Sequence, residues 1–213
     1  MDSLENLAGE FTLNLGCRPH IKVLQIPTQT IDELLNRHPE IRLPFPAFSV
    51  GATLLNNAFG LIVLEENFLS NFDVEETKFI LAHETAHINK NHSVISLILS
   101  VLGDEIKNIV KKRYAEKYRY IEGLWNLGWI LFTRTTFDGF IVNRQEKEAD
   151  LLAVQLINNK SKAISALEKL AKKYANGDFN APSHTTYVKD IAIPAITYKE
   201  RIQAIQNMPL RAF

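Results

Sequence analysis

The segment His83-Glu84-Thr85-Ala86-His87 holds the residue types that metal-assisted hydrolysis requires. On an α-helix, residues four apart lie one above the other, so both imidazoles face one point. Neutral imidazole suits zinc, and the glutamate beside the first histidine is turned toward the open coordination position. There it can take a proton from water whose pKa the metal has lowered toward neutrality. The competing reading is a pair of surface histidines on an amphipathic helix. A catalytic zinc site also needs a third protein ligand. The run Asn143-Arg144-Gln145-Glu146-Lys147-Glu148-Ala149-Asp150 offers one. Glu146 and Asp150 are again four apart, on a face that continues through the small residues Ala149 and Ala153. Glu146 can ligate. Asp150 can accept a hydrogen bond from the outer nitrogen of a ligand histidine, which sets its tautomer and raises its basicity. Taken alone, the same run reads as a charged helix start favoured by the helix dipole.

The elements that must position these residues are legible along the chain. Asp73 followed by Glu76 predicts a capping box for a helix running to about residue 91. A second helical stretch is expected over residues 93–119, bent near Gly103, and a third over about 144–158. A fourth would start at Ser161 as cap and end before Gly177, and a last short helix covers residues 198–207. Before residue 73 the signal is mostly strand. Residues 21–26 read as a strand stopped by Pro27, and residues 47–55 and 58–64 as two strands joined by a tight turn at Asn56-Asn57. A short helix over residues 28–38, capped by Thr30, lies between them. Residues 176–194 read as linker-like loop.

The chain has 213 residues, 24 basic and 24 acidic, 46% hydrophobic and 23% charged. That is one domain's worth of sequence with a real core, and it excludes a disordered tail, a fibre or a coiled coil. Zero net charge supplies no field to draw the protein onto nucleic acid. Cys17, the single cysteine, can form no internal disulfide and suggests a reducing compartment. The acidic N-terminus does not read as a signal peptide, and no apolar run reaches the roughly 18 residues of a spanning helix. A cytoplasmic protein is the expectation.

Three blocks together resemble a known family. They are Asn57-Ala58-Phe59, an apolar strand and Asn67-Phe68-Leu69; then residues 79–88 with Lys90-Asn91-His92 behind them; then Arg144, Glu146, Glu148, Ala149 and Asp150. In this order they are similar to the gluzincin zinc metallopeptidases that include the heat-shock protease HtpX and the CAAX prenyl proteases. The resemblance implies an α+β, mostly helical zincin-like fold over residues 1–213, with a small N-terminal sheet whose edge strand flanks the active-site helix. It implies one Zn2+ per chain on His83, His87 and Glu146, with Glu84 as general base, Asp150 behind the ligands, and a peptide or protein substrate. Asn57, Ala58 and Phe59 would lie on the edge strand that pairs with the substrate backbone.

The chain also departs from that pattern. Many members carry a His-Pro pair shortly before an Arg-Ile near the C-terminus; here Arg201-Ile202 is present but Pro194 follows Ile193. A tetrahedral intermediate needs a hydrogen-bond donor besides the metal, and His184 and Tyr187 are the candidates. His92, about 140° round the helix from His87, is expected to miss the metal and to act as a cation at the helix C-terminus. His20 and His38 read as ordinary surface residues in loops. Between the ligand helices lies an insertion at about residues 93–142, with short apolar runs, lysines, arginines and tyrosines. It fits either a hairpin in peripheral contact with a membrane surface or a soluble hairpin packed over the cleft. The leading function is a zinc metalloendopeptidase. The alternatives are a catalytically silent metal-binding regulatory protein of the same fold, or a latent protease held closed by residues 176–213.

Overall fold

The computed structural model describes residues 4–30, 33, 47–95, 141–181, 183, 185–188, 191–194 and 196–209. Helix α1 (Leu4–Asn14) leads into strands β1 (Arg18–Ile26), β2 (Ala47–Leu54) and β3 (Asn57–Glu65). A short 3-10 turn (Leu69–Asn71) precedes helix α2 (Val74–Asn89). Helices α3 (Asn143–Ile157) and α4 (Lys160–Tyr174), the ribbon β4 (Thr185–Val188) and β5 (Ile191–Pro194), and helix α5 (Tyr198–Asn207) follow. The architecture is mixed α+β with a small three-stranded sheet. No helix among the described residues is long and apolar enough to cross a membrane. The expected insertion lies outside the described residues over 96–140, as does most of the expected 28–38 helix.

Strands β2 and β3 form the hairpin expected from their sequence, with the turn at Leu55-Asn56 rather than Asn56-Asn57 and Asn57 already paired in β3. Leu55 and Asn56 both have positive φ (49° and 61°), the backbone hand that matches the twist of a two-residue hairpin. The antiparallel register runs from Leu54↔Asn57 to Ala47↔Leu64. On its other side β3 pairs in parallel with all of β1, from Arg18↔Asn57 to Ile26↔Glu65. The sheet order is therefore β1-β3-β2, and this corrects one expectation. Asn57, Ala58 and Phe59 sit on the central strand, not an edge, so the ladders on both sides already claim its backbone groups. Ala58 is fully buried. Phe59 faces outward and stacks on His20 of β1 at 4.8 Å, which also moves His20 from a loop onto a strand. The outer strand beside α2 is β2.

Helix α2 is buried from Phe79 to Ala86 and again at Ile88. The helix is thus enclosed on most sides although its sequence is mixed, so the polar motif His83–His87 is surrounded by core. Its approach to the sheet depends on two glycines that face each other, Gly51↔Gly60. A Cβ on Gly60 would lie 2.5 Å from Ile88 Cδ1, and one on Gly51 would lie 2.4 Å from the Phe59 carbonyl oxygen and 3.0 Å from Ile88 Cγ2. Ile88 fills that gap one residue after His87. The start of α2 is clamped as well. Asp73 accepts from the Glu76 backbone N–H at 3.0 Å, and Glu76 reaches back to the Asp73 N–H at 2.8 Å. The buried Glu76 carboxylate also accepts from Ser165 Oγ at 2.7 Å and from Lys169 Nζ at 2.5 Å. The expected capping box is thus also a tertiary tie between α2 and α4.

Three further differences have local causes. Helix α1 was not expected, although Leu4, Leu7, Ala8 and Phe11 follow the i, i+3, i+4, i+7 spacing of a buried helix face; Ala8 and Phe11 enter the core. Helix α4 is capped by Asn159, whose side chain accepts from the Lys162 N–H at 3.2 Å, while Ser161 Oγ donates to that same oxygen. Residues 185–194, expected as loop, form the β4–β5 ribbon, with Thr185↔Pro194 through Val188↔Ile191 paired.

Candidate metal centre

Helices α2 and α3 bring three of the expected residues to one point. His83 Nε2 and His87 Nε2 are 3.1 Å apart. Glu146 places its oxygens 3.5 Å from the first and 3.3 Å from the second. Zinc held tetrahedrally at about 2.0–2.1 Å requires donors separated by roughly 3.3 Å, so the spacing of this nitrogen–nitrogen–oxygen set fits the ion. The three form a group with all ligand atoms within 4.8 Å of one another. All are largely shielded from solvent, which strengthens their attraction for a cation.

Asp150 is fully buried one turn along α3. Its Oδ1 accepts from His83 Nδ1 at 2.9 Å. With Nδ1 as the donor to Asp150, Nε2 is the nitrogen of His83 that faces the cluster. Asp150 is held in turn by a residue that the sequence marked only as part of the Arg201-Ile202 pair, with no role assigned to it. Arg201 of α5 donates from Nε to Asp150 Oδ2 at 2.7 Å and from Nη2 to Oδ1 at 2.6 Å, a bidentate fork. Its Nη1 lies 3.3 Å from Glu146. A signal was present: Tyr198, Arg201, Ile202 and Ile205 form the buried face of α5. A cation placed in an apolar stripe demands a buried partner.

The charges shift one another. Burial opposes ionisation of Asp150, but Arg201 and His83 outweigh it and hold the carboxyl below the usual range. For His83, burial pushes downward, yet Asp150 and Glu146 prevail over it and over Arg201, raising the imidazole to about 10. The field at this point favours positive charge.

His92 departs from its expected role. The α2 helix ends at Asn89, and Asn91 turns the chain with φ of 58°. That turn places His92 Nδ1 3.0 Å from His87 Nδ1. Burial, then the neighbouring His87, depress His92 to about 4, so it is neutral and not a helix-terminal cation. It lies behind His87 rather than in the cluster, 3.8 Å from Glu148.

A cavity of about 220 Å³ opens over the cluster. Glu84 lines it with His83, His87 and Glu146, and Ala47, Phe48 and Ser49 of β2 form one wall. Tyr198 lines it too, its hydroxyl donating to the Ser183 carbonyl at 3.2 Å. Asn57, Ala58 and Phe59 are not part of this wall. His184 lies outside the described residues, and Tyr187 is placed by its backbone on β4, opposite Ala192.

The arrangement can hold one divalent cation beside the Glu84 carboxylate, next to the backbone of β2. The chain is 25% identical over 183 residues to a protein named Protease HtpX homolog from Helicobacter pylori (strain J99 / ATCC 700824), covering 76% of this chain. It spans 58% of that relative's length. No solved structure matches it. The family model for peptidase family M48 matches residues 21–208, a span that begins on β1 and takes in both helices of the histidine–glutamate cluster as well as Arg201. The chain belongs to peptidase family M48.

Proposed function

We propose that this chain is a zinc-dependent endopeptidase, holding one zinc ion between His83, His87 and Glu146 in a zincin-like site and cutting peptide bonds in peptide or protein substrates. The observation that carries this reading is the donor spacing of 3.1–3.5 Å among those three residues, in a chain of a peptidase family. When bound, zinc supplies Lewis acidity to the scissile carbonyl and acidifies water. Glu84 takes the proton of the attacking water on a carboxylate oxygen and then delivers it to the departing amide nitrogen. Asp150 and His92 hold the outer nitrogens of His83 and His87, which keeps both imidazoles aimed at the cluster.

The substrate backbone pairs with β2. Leu54 and Asn57 close the hairpin, so ladder hydrogen bonds alternate from there. Ala47, Ser49, Gly51 and Thr53 then direct their N–H and C=O groups away from β3. Ala47 and Ser49 are on the cavity wall beside the cluster, where an extended peptide adds a strand with its backbone crossing the histidines.

The test measures zinc by mass spectrometry in the purified protein, in Glu146→Ala and in Glu84→Gln, followed by cleavage of a mixed peptide library. The expected result is about one zinc per chain, lost in Glu146→Ala and kept in Glu84→Gln, with cleavage reduced roughly 10²–10⁴-fold in the latter. A wild type that binds no zinc, even when zinc is supplied, refutes the proposal. Zinc binding with no cleavage above the Glu84→Gln background would instead favour a silent metal-binding protein.

A further inference from the structure

His83 and His87 are supported by different means. His83 Nδ1 lies 2.9 Å from a carboxylate, Asp150, and an ionised carboxylate can only accept, so the direction of that bond is fixed. His87 Nδ1 instead meets a second imidazole, His92 Nδ1, at 3.0 Å. Between two neutral imidazoles one nitrogen donates and the other accepts, and both directions fit the same ring positions. The direction decides whether His87 can hold a metal. If His87 donates, its proton is on Nδ1 and its lone pair is on Nε2, the nitrogen 3.3 Å from Glu146. If His92 donates, the proton of His87 sits on Nε2 and closes that position. Packing does not choose between the two, because neither ring has to move.

The choice falls to the charge that faces the far nitrogen of His92. Glu148 of α3 places Oε2 3.8 Å from His92 Nε2. That is too long for a hydrogen bond. A negative charge so close to a ring only 5% exposed acts through its field instead. It favours an N–H on Nε2 and disfavours a lone pair there. With its proton on Nε2, His92 presents a bare Nδ1, and His87 is the donor. We infer that Glu148 is a positioning residue that sets the direction of the His87–His92 hydrogen bond and so keeps His87 in the tautomer that can bind a metal. Three acidic residues of one helix then take separate parts. Glu146 joins the cluster, Asp150 fixes the outer nitrogen of His83 directly, and Glu148 fixes that of His87 through His92. The inference rests on the proposed zinc site. The other oxygen of Glu148 pairs with Lys90 Nζ at 3.0 Å, both side chains being about 40% exposed, and a pair so open to water contributes little by itself.

The experiment reads the tautomer by nitrogen NMR of the full chain with isotopically labelled histidine, metal-free and at about pH 8, above the ordinary range of imidazole. Protonated and bare ring nitrogens give well-separated signals. In the wild type, His92 should carry its proton on Nε2. Glu148→Gln keeps the size of the side chain and removes its charge, and should give a mixture of tautomers. Glu148→Lys places a cation there and should favour a bare Nε2. Competitive zinc titration of the same proteins should show affinity falling about three- to tenfold in Glu148→Gln and roughly 10- to 100-fold in Glu148→Lys. Lys90→Ala breaks the same salt bridge but leaves the carboxylate, so His92 should keep its Nε2 proton and zinc affinity should stay within about threefold of wild type. An Nε2 proton on His92 in every variant would overturn the inference while leaving the zinc site intact. So would equal losses of affinity in Lys90→Ala and Glu148→Gln, since the salt bridge rather than the charge would then matter. A wild type that takes up no zinc would overturn the peptidase reading itself, and the inference with it.

Discussion

Arg201→Ala removes the residue that connects α5 to both carboxylates of α3. In the native protein its guanidinium makes two short bonds to Asp150, 2.6 and 2.7 Å, with both side chains shielded from water. Truncation leaves a fully buried carboxylate with His83 Nδ1 as its remaining described partner. Breaking a buried ion pair from one side costs roughly 3–5 kcal/mol, because the surviving charge has been stripped of water and not repaid. For a chain of this size, that corresponds to a fall of roughly 10 °C in Tm. The proposed metal centre would suffer for a second reason. Asp150 Oδ1 is shared by Arg201 Nη2 and His83 Nδ1, so the fork also fixes the carboxylate that orients His83. Losing such support typically weakens metal binding about 10- to 100-fold. Denaturant unfolding of the metal-free protein and competitive zinc titration measure the two effects separately. Arg201→Lys should retain charge but lose the bidentate geometry, and should fall between wild type and alanine in both assays. An Arg201→Ala protein within about 1 kcal/mol of wild type, with unchanged zinc affinity, would refute the argument, since Asp150 would then need no cation.

Other consequences can be measured directly. His92→Phe keeps the ring volume but removes the partner of His87 Nδ1; zinc affinity should drop about 10-fold or more in the same titration, with little change in secondary structure by circular dichroism. Gly51→Ala should cost more than Gly60→Ala in chemical denaturation, on the order of 1–3 kcal/mol, because the added Cβ meets the Phe59 backbone at 51 but a movable Ile88 side chain at 60. Equal costs would show that the helix–sheet gap is set elsewhere. Glu76 provides a pH test. Burial works against its ionisation, but Lys169, Ser165 and the Asp73 N–H outweigh it and lower its pKa in the folded state. A depressed carboxylate contributes stability above its unfolded value near 4.3 and loses it as pH falls through the folded one. Stability curves of the wild type should therefore decline below about pH 4.5, and Glu76→Gln should flatten that decline. An identical acid slope in the variant would refute the assignment.

Local spacing was enough for everything that happens within one helix or one hairpin. His83 and His87 share a face because the α-helix repeats every 3.6 residues, whatever surrounds it. The Asp73–Glu76 box, the α5 boundaries and the β2–β3 hairpin follow from neighbours at most a few positions apart. Those were readable from the residues alone, as was the presence of a carboxylate pair at Glu146 and Asp150. Which strand lies at the edge was not. Nothing within residues 57–65 announces that β1, some forty residues earlier, pairs along the entire strand, and that pairing moves the exposed edge to β2. His92 stays out of the cluster as its spacing implied, but its expected role as a terminal cation fails because the left-handed turn at Asn91 swings it behind His87, where burial keeps it neutral. Arg201 meets His83 across 118 positions of sequence. Its partner depends on how α5 packs against α3, which is settled by the burial of Tyr198, Ile202 and Ile205. Short-range geometry determines which side chains share a face; the packing of distant apolar surfaces decides what that face meets.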